Sequence, residues 1–228
     1  MEYSTVLPAV FLSRPNRFVA RVLLEGREHT VHVKNTGRCR ELLLPGARVW
    51  LTPGENPARK TAYDLIAVEK GQTLINLDSA APNRVFGEYA RQGLFLPETA
   101  WVRPEVRYGE SRFDFQLEAG GRLHFVEVKG VTLEEAGHTR FPDAPTLRGT
   151  KHLYELIRAR QEGYGAHAVF VIQLEQALSF APNRETDPAF ARALEQAEAA
   201  GVCIHAFRCH VTPGRMSIAA PVKRQEPQ

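Results

Sequence analysis

The sequence predicts a small β-barrel followed by a mixed α/β domain, in a chain of 228 residues. Two observations lead to this fold class. Before Asp78, short apolar segments alternate with turn residues at regular intervals, and no strong helical pattern separates them. After Asp78, helical and strand patterns alternate, as they do in α/β folds. The length is sufficient for one large domain or two modest ones, each with a hydrophobic core.

The first domain is predicted over residues 1–80 and consists of short strands. Turn residues such as Glu25-Gly26 and Asn35-Thr36-Gly37 separate these strands. Five short strands without an intervening helix are typical of a small closed barrel, so we expect a five-stranded OB-like β-barrel. The predicted strands cover residues 17–24, 30–34, 47–51, 64–68 and 73–77.

The second domain is predicted over residues 81–222, in the order α-β-β-β-α-β-α-β, and residues 223–228 are expected to form a loose tail. Apolar residues at helical spacing mark the helices, and Gly120-Gly121 marks a hairpin turn. Residues 130–145 form a stretch that contains Pro and Gly and lies between predicted elements. The predicted elements are a helix over 84–91, a strand near Val106, hairpin strands over 112–117 and 123–129, a helix over 147–162, a strand over 166–173, a helix that begins after Asp187, and a strand over 202–207.

The composition is that of a globular cytosolic protein. A hydrophobic content of 43% with 24% charged residues excludes wholesale disorder. No apolar run approaches the roughly 20 residues of a membrane helix, and residues 1–4 carry no sign of an export signal. The three cysteines contain no Cys-x-x-Cys pair, which argues against a disulfide framework or a structural zinc site. We therefore expect a soluble, cytoplasmic protein with no membrane partner. The oligomeric state is left open, with a homo-oligomer among the options.

The positive charge of the chain is concentrated in the predicted barrel. Residues 1–80 carry 11 basic and 8 acidic side chains, whereas the rest of the chain carries 18 of each. Residues 35–40 combine a turn with two arginines, an arrangement that can bind phosphate but is equally typical of a turn before a short helix. OB barrels bind nucleic-acid strands along a charged face. The candidate nucleic-acid-binding residues are therefore Arg14, Arg17, Arg38 and Arg40.

Three charged residues of the predicted hairpin form the candidate site for chemistry. Residues i and i+2 of a strand share a face, so Glu127 and Lys129 point the same way, and Asp114 joins them if the register permits. Two carboxylates and an ammonium group at one place can hold Mg²⁺ or Mn²⁺ and orient a water molecule. Glu88 on the preceding helix and Lys151 on the long helix are further candidates for this site.

Alternating charges on a hairpin are usually a solvated face, and that interpretation competes with the metal site. The apolar neighbours Phe125, Val126 and Val128 favour the site, because a charge on a buried strand is costly unless it is paired or binds a metal. The order αβββαβ, with Asp before Glu-x-Lys on the hairpin, is the arrangement of PD-(D/E)XK nucleases. We therefore predict a PD-(D/E)XK nuclease-like second domain.

Seven motifs are distributed over nearly the whole chain: residues 31–38 (VHVKNTGR), 81–84 (APNR), 111–115 (SRFDF), 126–133 (VEVKGVTL), 141–146 (FPDAPT), 148–156 (RGTKHLYEL) and 187–190 (DPAF). Together they resemble the sugar fermentation stimulation protein A (SfsA) family. Cys39 and Lys34 depart from the family pattern, which more usually has Met and Pro there. The resemblance implies an N-terminal OB-fold and a PD-(D/E)XK nuclease-like domain. It places Asp114, Glu127 and Lys129 in the nuclease motif, with Glu88 and Lys151 as helical contributors.

Three functions compete at this point. The resemblance implies a DNA-binding protein of low sequence preference, acting on single- or double-stranded DNA and regulating sugar (notably maltose) metabolism. The Asp114, Glu127 and Lys129 set favours a metal-dependent nuclease that cleaves DNA phosphodiester bonds, because a pure scaffold has no need of it. A small-molecule sugar sensor is the third hypothesis and rests on the family name alone.

Overall fold

A computed structural model of the protein describes residues 1–35, 37–54, 56 and 58–225. The predicted turn at 35–37 therefore includes one residue, Thr36, that lies outside the described residues. In the N-terminal part the strands are β1 (Leu7–Asn16), β2 (Val19–Leu24), β3 (Arg27–Val33), β4 (Arg48–Pro53), β5 (Tyr63–Lys70) and β6 (Thr73–Asn76).

These strands confirm the predicted five-stranded barrel. They follow the order β3-β2-β1-β4-β5-β6, and a parallel pairing of β3 with β5 closes the barrel. β1 was not among the predicted strands, because Pro8 and Pro15 interrupt the segment and proline is unfavourable within a strand. Ala9 and Phe11 of β1 are nevertheless buried in the barrel core. The five barrel strands are thus β1–β5, and β6, which covers most of the last predicted strand, pairs antiparallel with β5.

The second part of the chain is a mixed α/β domain, as predicted. The elements of its main sheet and helices are α1 (Ala81–Arg91), β7 (Thr99–Tyr108), β8 (Ser111–Ala119), β9 (Arg122–Val131), α2 (Leu147–Gln161), β12 (Gly165–Ile172), α3 (Pro188–Ala199), β14 (Cys203–Thr212) and β15 (Arg215–Pro221). The main sheet has the order β15-β14-β12-β9-β8-β7, in which β9, β12 and β14 are parallel and the outer pairs are antiparallel. Within the described residues, no helix is long and apolar enough to cross a lipid bilayer.

The two faces of the main sheet are covered by different helices. On one face, Phe86 of α1 packs in a cluster with Val126, Val169 and Phe207 of the sheet. On the other face, α2 and α3 pack on the sheet in a cluster that continues into the barrel core. Successive residues of a strand alternate between these faces. Side chains at odd and even positions of β9 therefore enter different environments, the odd ones towards α2 and α3 and the even ones towards α1.

A second, small sheet corrects two predictions. It is formed by β10 (Leu133–Glu135), β11 (His138–Phe141), β13 (Ser179–Pro182) and β16 (Lys223–Arg224), in the order β10-β11-β13-β16. The predicted element order assigned no strand to residues 130–145, which contain β10 and β11, and the expected tail begins with a strand that pairs with β13. These strands are two to four residues long, too short to show a period in sequence. Residues 226–228 of the predicted tail lie outside the described residues.

The chain's first residues belong with the second domain rather than with the barrel. Met1 is buried in the cluster under α1, and Glu2 forms a bridge with Arg215. The backbone N–H of Tyr3 donates to the carbonyl of Gly214, with an N···O distance of 2.9 Å. The segment before β1 therefore contacts the second domain, although it precedes the barrel strands in sequence.

Asp64 stabilises the β3–β5 pairing that closes the barrel, and we expect Asp64→Asn to destabilise the fold. Its carboxylate accepts hydrogen bonds from Arg59 Nη2 (2.6 Å) and His32 Nδ1 (2.9 Å), and His32 is its partner in the β3–β5 pairing. Burial raises the pKa of Asp64, but the bonds from Arg59 and His32 outweigh it and lower the pKa below its usual value. Its stabilisation is therefore present above the unfolded-state pKa of about 4 and is lost as the pH falls through the folded-state pKa.

Urea unfolding at neutral pH and at about pH 3 measures this contribution. Asp64→Asn should cost roughly 1–3 kcal/mol at neutral pH and should weaken the acid dependence of the free energy of unfolding. Glu69→Gln, which changes a more exposed carboxylate on the same strand, is the matched control. Equal stability of wild type and Asp64→Asn at both pH values would contradict the assignment.

Candidate functional site

Asp114 lies where β8 and β9 separate. The paired register of these strands ends at Phe115 and Val126, and beyond it the carboxylate of Asp114 takes the place of a backbone acceptor. Its Oδ2 accepts from the backbone N–H of Val128 (2.8 Å), and its Oδ1 accepts from Asn83 Nδ2 of α1 (2.8 Å). Burial, followed by the nearby charge of Glu127, raises the pKa of Asp114. The two predicted carboxylates are therefore close enough to interact.

Glu127 is the most constrained of the candidate residues. It is only 4% exposed, and its Oε1 accepts from Lys129 Nζ at 2.5 Å and is also hydrogen-bonded to Nδ1 of His152 on α2. Burial alone would raise the pKa of Glu127, but His152 and Lys129 lower it below its usual value. Glu127 and Lys129 thus share a face, as the sequence analysis expected from their i, i+2 spacing.

His152 is a site residue that sequence reasoning missed. It is 5% exposed and occupies the buried stripe of α2 with Leu153 and Leu156. A polar residue in the apolar stripe of a helix was the available signal, because such a residue needs a partner. The predicted residue Lys151 lies one position earlier and points elsewhere. Its side chain is 56% exposed and its Nζ lies 3.7 Å from Oε1 of Glu155.

The structure does not bring Glu88 to the two carboxylates. Glu88 Oε2 accepts from the N-terminal ammonium group of Met1 at 2.7 Å, and that group also donates to Met216 of β15. The α1 residue that contacts Asp114 is Asn83. Five residues of a helix correspond to about 140° of rotation, so a helix with Asn83 towards Asp114 turns Glu88 away. An amide therefore stands where a third carboxylate was expected.

One atom of this cluster fits a divalent cation. Glu127 Oε2 is buried and has no hydrogen-bond partner among the described residues. A buried carboxylate oxygen without a partner is costly, and a cation would satisfy it. Asp114 supplies further oxygen atoms beside it, and oxygen is the ligand type that Mg²⁺ and Mn²⁺ prefer. The residues present therefore fit the predicted metal.

The four predicted arginines lie around one cleft of the barrel. This arginine cleft has a volume of about 470 Å³ and is lined by Arg14, Arg17, Arg38, Arg40 and residues near them. Arg17, Arg38 and Arg40 are exposed. Arg14 differs, because its guanidinium donates to the carbonyls of Arg38 (2.6 Å), Arg17 (2.7 Å) and Asn35 (2.9 Å). Arg14 therefore holds the loop in place and leaves the other three arginines for a ligand.

A groove adjoins the arginine cleft. This second cavity, of about 310 Å³, shares Gly37 and Ala144 with the cleft, and Gly130 of β9 also lines it. Asp143 of the groove is bonded to the cleft, since its Oδ2 accepts from the backbone N–H of Arg38 at 3.0 Å. An extended ligand bound at the arginines can therefore continue along this groove to the end of β9.

Comparisons with known proteins cover both domains. The family model described as the SfsA N-terminal OB domain matches residues 12–77, and the one described as the sugar fermentation stimulation protein RE domain matches residues 80–215. A sugar fermentation stimulation protein homolog of Desulfitobacterium hafniense (strain DSM 10664 / DCB-2) is 54% identical, over 93% of this chain and 92% of the relative. One of Clostridium beijerinckii is 47% identical, over 96% of each chain.

A solved structure shows the same likeness in three dimensions. It is described as Pyrococcus furiosus SfsA in complex with Ca²⁺, and it aligns with a TM-score of 0.90 over 99% of this chain and 98% of that chain. The sequence identity between the two is 32%. The chain belongs to the sugar fermentation stimulation protein (SfsA) family.

Proposed function

We propose that the protein binds DNA with little sequence preference, through the arginine cleft. The observation that carries this proposal is the convergence of Arg17, Arg38 and Arg40 around one cleft of an OB-type barrel. Exposed guanidinium groups bind phosphate oxygens, which carry no sequence information. Regulation of sugar (maltose) metabolism, in the cytoplasm, would be a consequence of such binding and remains a prediction.

An exposed aromatic side chain beside the cleft supports the proposal that the protein binds single-stranded as well as double-stranded DNA. Phe18 is 45% exposed, and the guanidinium carbon of Arg17 lies 4.8 Å from its ring centroid. Base stacking on aromatic rings, next to arginines that contact the backbone, is how OB folds bind single strands without sequence readout. We therefore expect binding to both forms of DNA.

The Arg38→Ala/Arg40→Ala double variant is expected to bind DNA about tenfold more weakly than the wild type at moderate salt, because two phosphate contacts are lost. The slope of log K against log salt should also become shallower by up to about 1.8, which corresponds to 0.9 for each phosphate on duplex DNA. Fluorescence anisotropy with labelled single- and double-stranded DNA at several salt concentrations measures both quantities.

The Arg103→Ala/Arg192→Ala variant is the matched control, because it removes two exposed arginines of the second domain. It should retain the wild-type affinity and slope. The backbone bond from Arg38 to Asp143 survives truncation of the side chain, so the cleft variant should fold. Wild-type affinity of the cleft variant, or binding that does not respond to salt, would contradict the proposal.

A second candidate function is metal-dependent cleavage of DNA phosphodiester bonds, and the unpartnered Glu127 Oε2 favours it. Asp114 and Glu127 would hold Mg²⁺ or Mn²⁺, and the Ca²⁺ named with the Pyrococcus furiosus relative supports a cation site in this fold. The bound ion would polarise a phosphate oxygen and lower the pKa of a water molecule.

The protein's own residues have separate tasks in this candidate function. Lys129, whose ammonium group lies against Glu127, would orient the attacking water and stabilise developing negative charge. His152 fixes the Glu127 carboxylate from the other side. Lys151 remains a predicted source of a second positive charge; its ammonium group would have to exchange its 3.7 Å contact with Glu155 for one with bound DNA. The groove from the arginine cleft would deliver the strand.

A further inference from the structure

Three histidines and a cysteine meet on the α1 face of the main sheet, opposite the face of Glu127. His124 of β9, His167 of β12, and Cys203 and His205 of β14 come from three adjacent parallel strands. His167 pairs directly with Cys203, and His205 lies two residues further along on the same face. Neither proposed function uses these residues.

Their ligand atoms lie close together. The ring nitrogens of His167 and His205 and the sulfur of Cys203 are all within 4.8 Å of one another. His167 Nδ1 is 3.1 Å from His205 Nε2, and His167 Nε2 is 3.0 Å from His124 Nδ1. Two nitrogens bound to a tetrahedral zinc ion at about 2.0–2.1 Å lie about 3.3 Å apart, so the His167–His205 spacing already suits a shared ion.

Aromatic side chains pack against both imidazoles. The rings of Phe95 and of each histidine form T-shaped pairs, with centroid distances of 5.2 Å to His167 and 5.0 Å to His205. Phe207 stacks on His205 at a centroid distance of 6.0 Å. The two rings are therefore held in place by packing.

His124 completes the arrangement without being a ligand itself. A metal-binding histidine normally donates its second ring N–H to an acceptor, and His167 Nε2 can donate to His124 Nδ1 in this way. This leaves His167 Nδ1 for the ion. Gly165 makes room for the contact, because a Cβ atom at that position would lie 1.9 Å from His124 Nδ1.

We infer that His167 Nδ1, His205 Nε2 and Cys203 Sγ form a binding site for a divalent transition-metal ion of the zinc class. Two imidazoles and a thiolate bind zinc in preference to the hard cations that are expected at Asp114 and Glu127. Cys203 is exposed, so its side chain can rotate to the sulfur–nitrogen separation of about 3.6 Å that a tetrahedral ion requires, releasing its proton to solvent. Three protein ligands leave a fourth position open.

This site differs from the one that the cysteine pattern argued against. The sequence contains no Cys-x-x-Cys pair, and the expectation of no structural zinc rested on that pattern. Here a single cysteine combines with histidines separated by 38 residues in sequence, and only the parallel register of β12 and β14 brings them together.

Cobalt titration of the full-length, chelator-treated protein tests the inference. We expect one Co²⁺ ion at this site to give a thiolate-to-cobalt charge-transfer band and the strong visible bands of tetrahedral cobalt, and Zn²⁺ to bleach both. Cys203→Ser should remove the charge-transfer band, and His205→Asn should weaken binding at least about tenfold. His124→Asn should weaken binding by about tenfold to a hundredfold while the charge-transfer band is retained, because His124 only positions His167.

Two control variants separate this site from its neighbours. His210→Asn changes an exposed histidine of the same strand, and Glu127→Gln changes the carboxylate site; both should leave the cobalt bands unchanged. The exposed position of Cys203 means that Cys203→Ser should fold, which circular dichroism checks. Absence of the charge-transfer band in the wild type, or its persistence in Cys203→Ser, would overturn the inference.

Discussion

The Glu127→Gln variant is expected to lose Mg²⁺ or Mn²⁺ binding at the carboxylate site, and with it at least a hundredfold of any metal-dependent DNA cleavage, since the ion supplies several kcal/mol of charge stabilisation. The reason is the position of Oε2, which is buried and has no hydrogen-bond partner among the residues described. Glutamine keeps the shape but replaces one charged oxygen by an NH₂ group, which cannot coordinate a cation. Asp114→Asn should have an effect of similar size.

Isothermal titration with Mn²⁺ and plasmid nicking with Mg²⁺, Mn²⁺ or EDTA measure the two effects separately. Glu105→Gln, an exposed carboxylate change in the same domain, is the control and should behave as the wild type. DNA binding by Glu127→Gln should remain salt-dependent and of wild-type strength, because the arginine cleft is made by other residues. If Glu127→Gln bound Mn²⁺ as tightly as the wild type, the carboxylate site would not be the metal site.

His152 makes the consequences of changing Glu127 depend on the replacement. Removing the carboxylate entirely would leave Lys129 and His152 facing a buried space without their acceptor, which is costly for the fold. The isosteric amide of Glu127→Gln fills the space of the carboxylate and still offers one oxygen as an acceptor. Loss of metal binding with retained DNA affinity therefore identifies a local effect, whereas loss of both would indicate unfolding.

Sequence spacing could predict the strand part of the site but not the helix part. Glu127 and Lys129 are two residues apart on one strand, so their common face follows from strand geometry alone. Which residue of α1 or α2 approaches them depends on how each helix is rotated against the sheet, and packing decides this. Gly87 of α1, for example, sits against the ring of Phe115, and this close approach helps fix the rotation that selects Asn83 rather than Glu88.

Prediction from sequence was limited in the same way for the arginine cleft and for the cluster of His124, His167 and His205, whose residues come from separate elements. The charge surplus identified Arg14, Arg17, Arg38 and Arg40 as a set, but β1, which carries Arg14, was not recognisable as a strand because of its prolines. His167 and His205 become neighbours only through the register of two parallel strands, so no local sequence pattern predicts their contact. Local patterns predict elements, whereas contacts between distant elements depend on register.

The largest expected effect on stability is that of Gln173→Ala, at the junction of the two domains. Gln173 is 2% exposed, and its side-chain Nε2 donates to the carbonyls of Asn76 (3.0 Å) and Asp78 (3.2 Å) at the end of the barrel. Truncation removes both bonds and a third one to Asn76 Oδ1 (3.2 Å), at about 0.5–1.5 kcal/mol each, although the Asp78 carbonyl still accepts from the backbone N–H of Ala81 (3.0 Å). With the cavity that truncation leaves, we expect a total loss of roughly 2–5 kcal/mol, a large share of the 5–15 kcal/mol typical of a folded protein.

Urea unfolding followed by circular dichroism and tryptophan fluorescence measures this loss. Gln161→Ala, at the exposed end of α2, is the matched control and should change the free energy of unfolding by less than about 0.5 kcal/mol. Because Gln173 joins the barrel, which carries the arginine cleft, to the domain of Glu127, its loss should also separate the unfolding of the two domains. Two transitions in place of one are expected for Gln173→Ala. A single transition at wild-type stability would show that the core cluster shared by barrel and sheet, and not these hydrogen bonds, joins the domains.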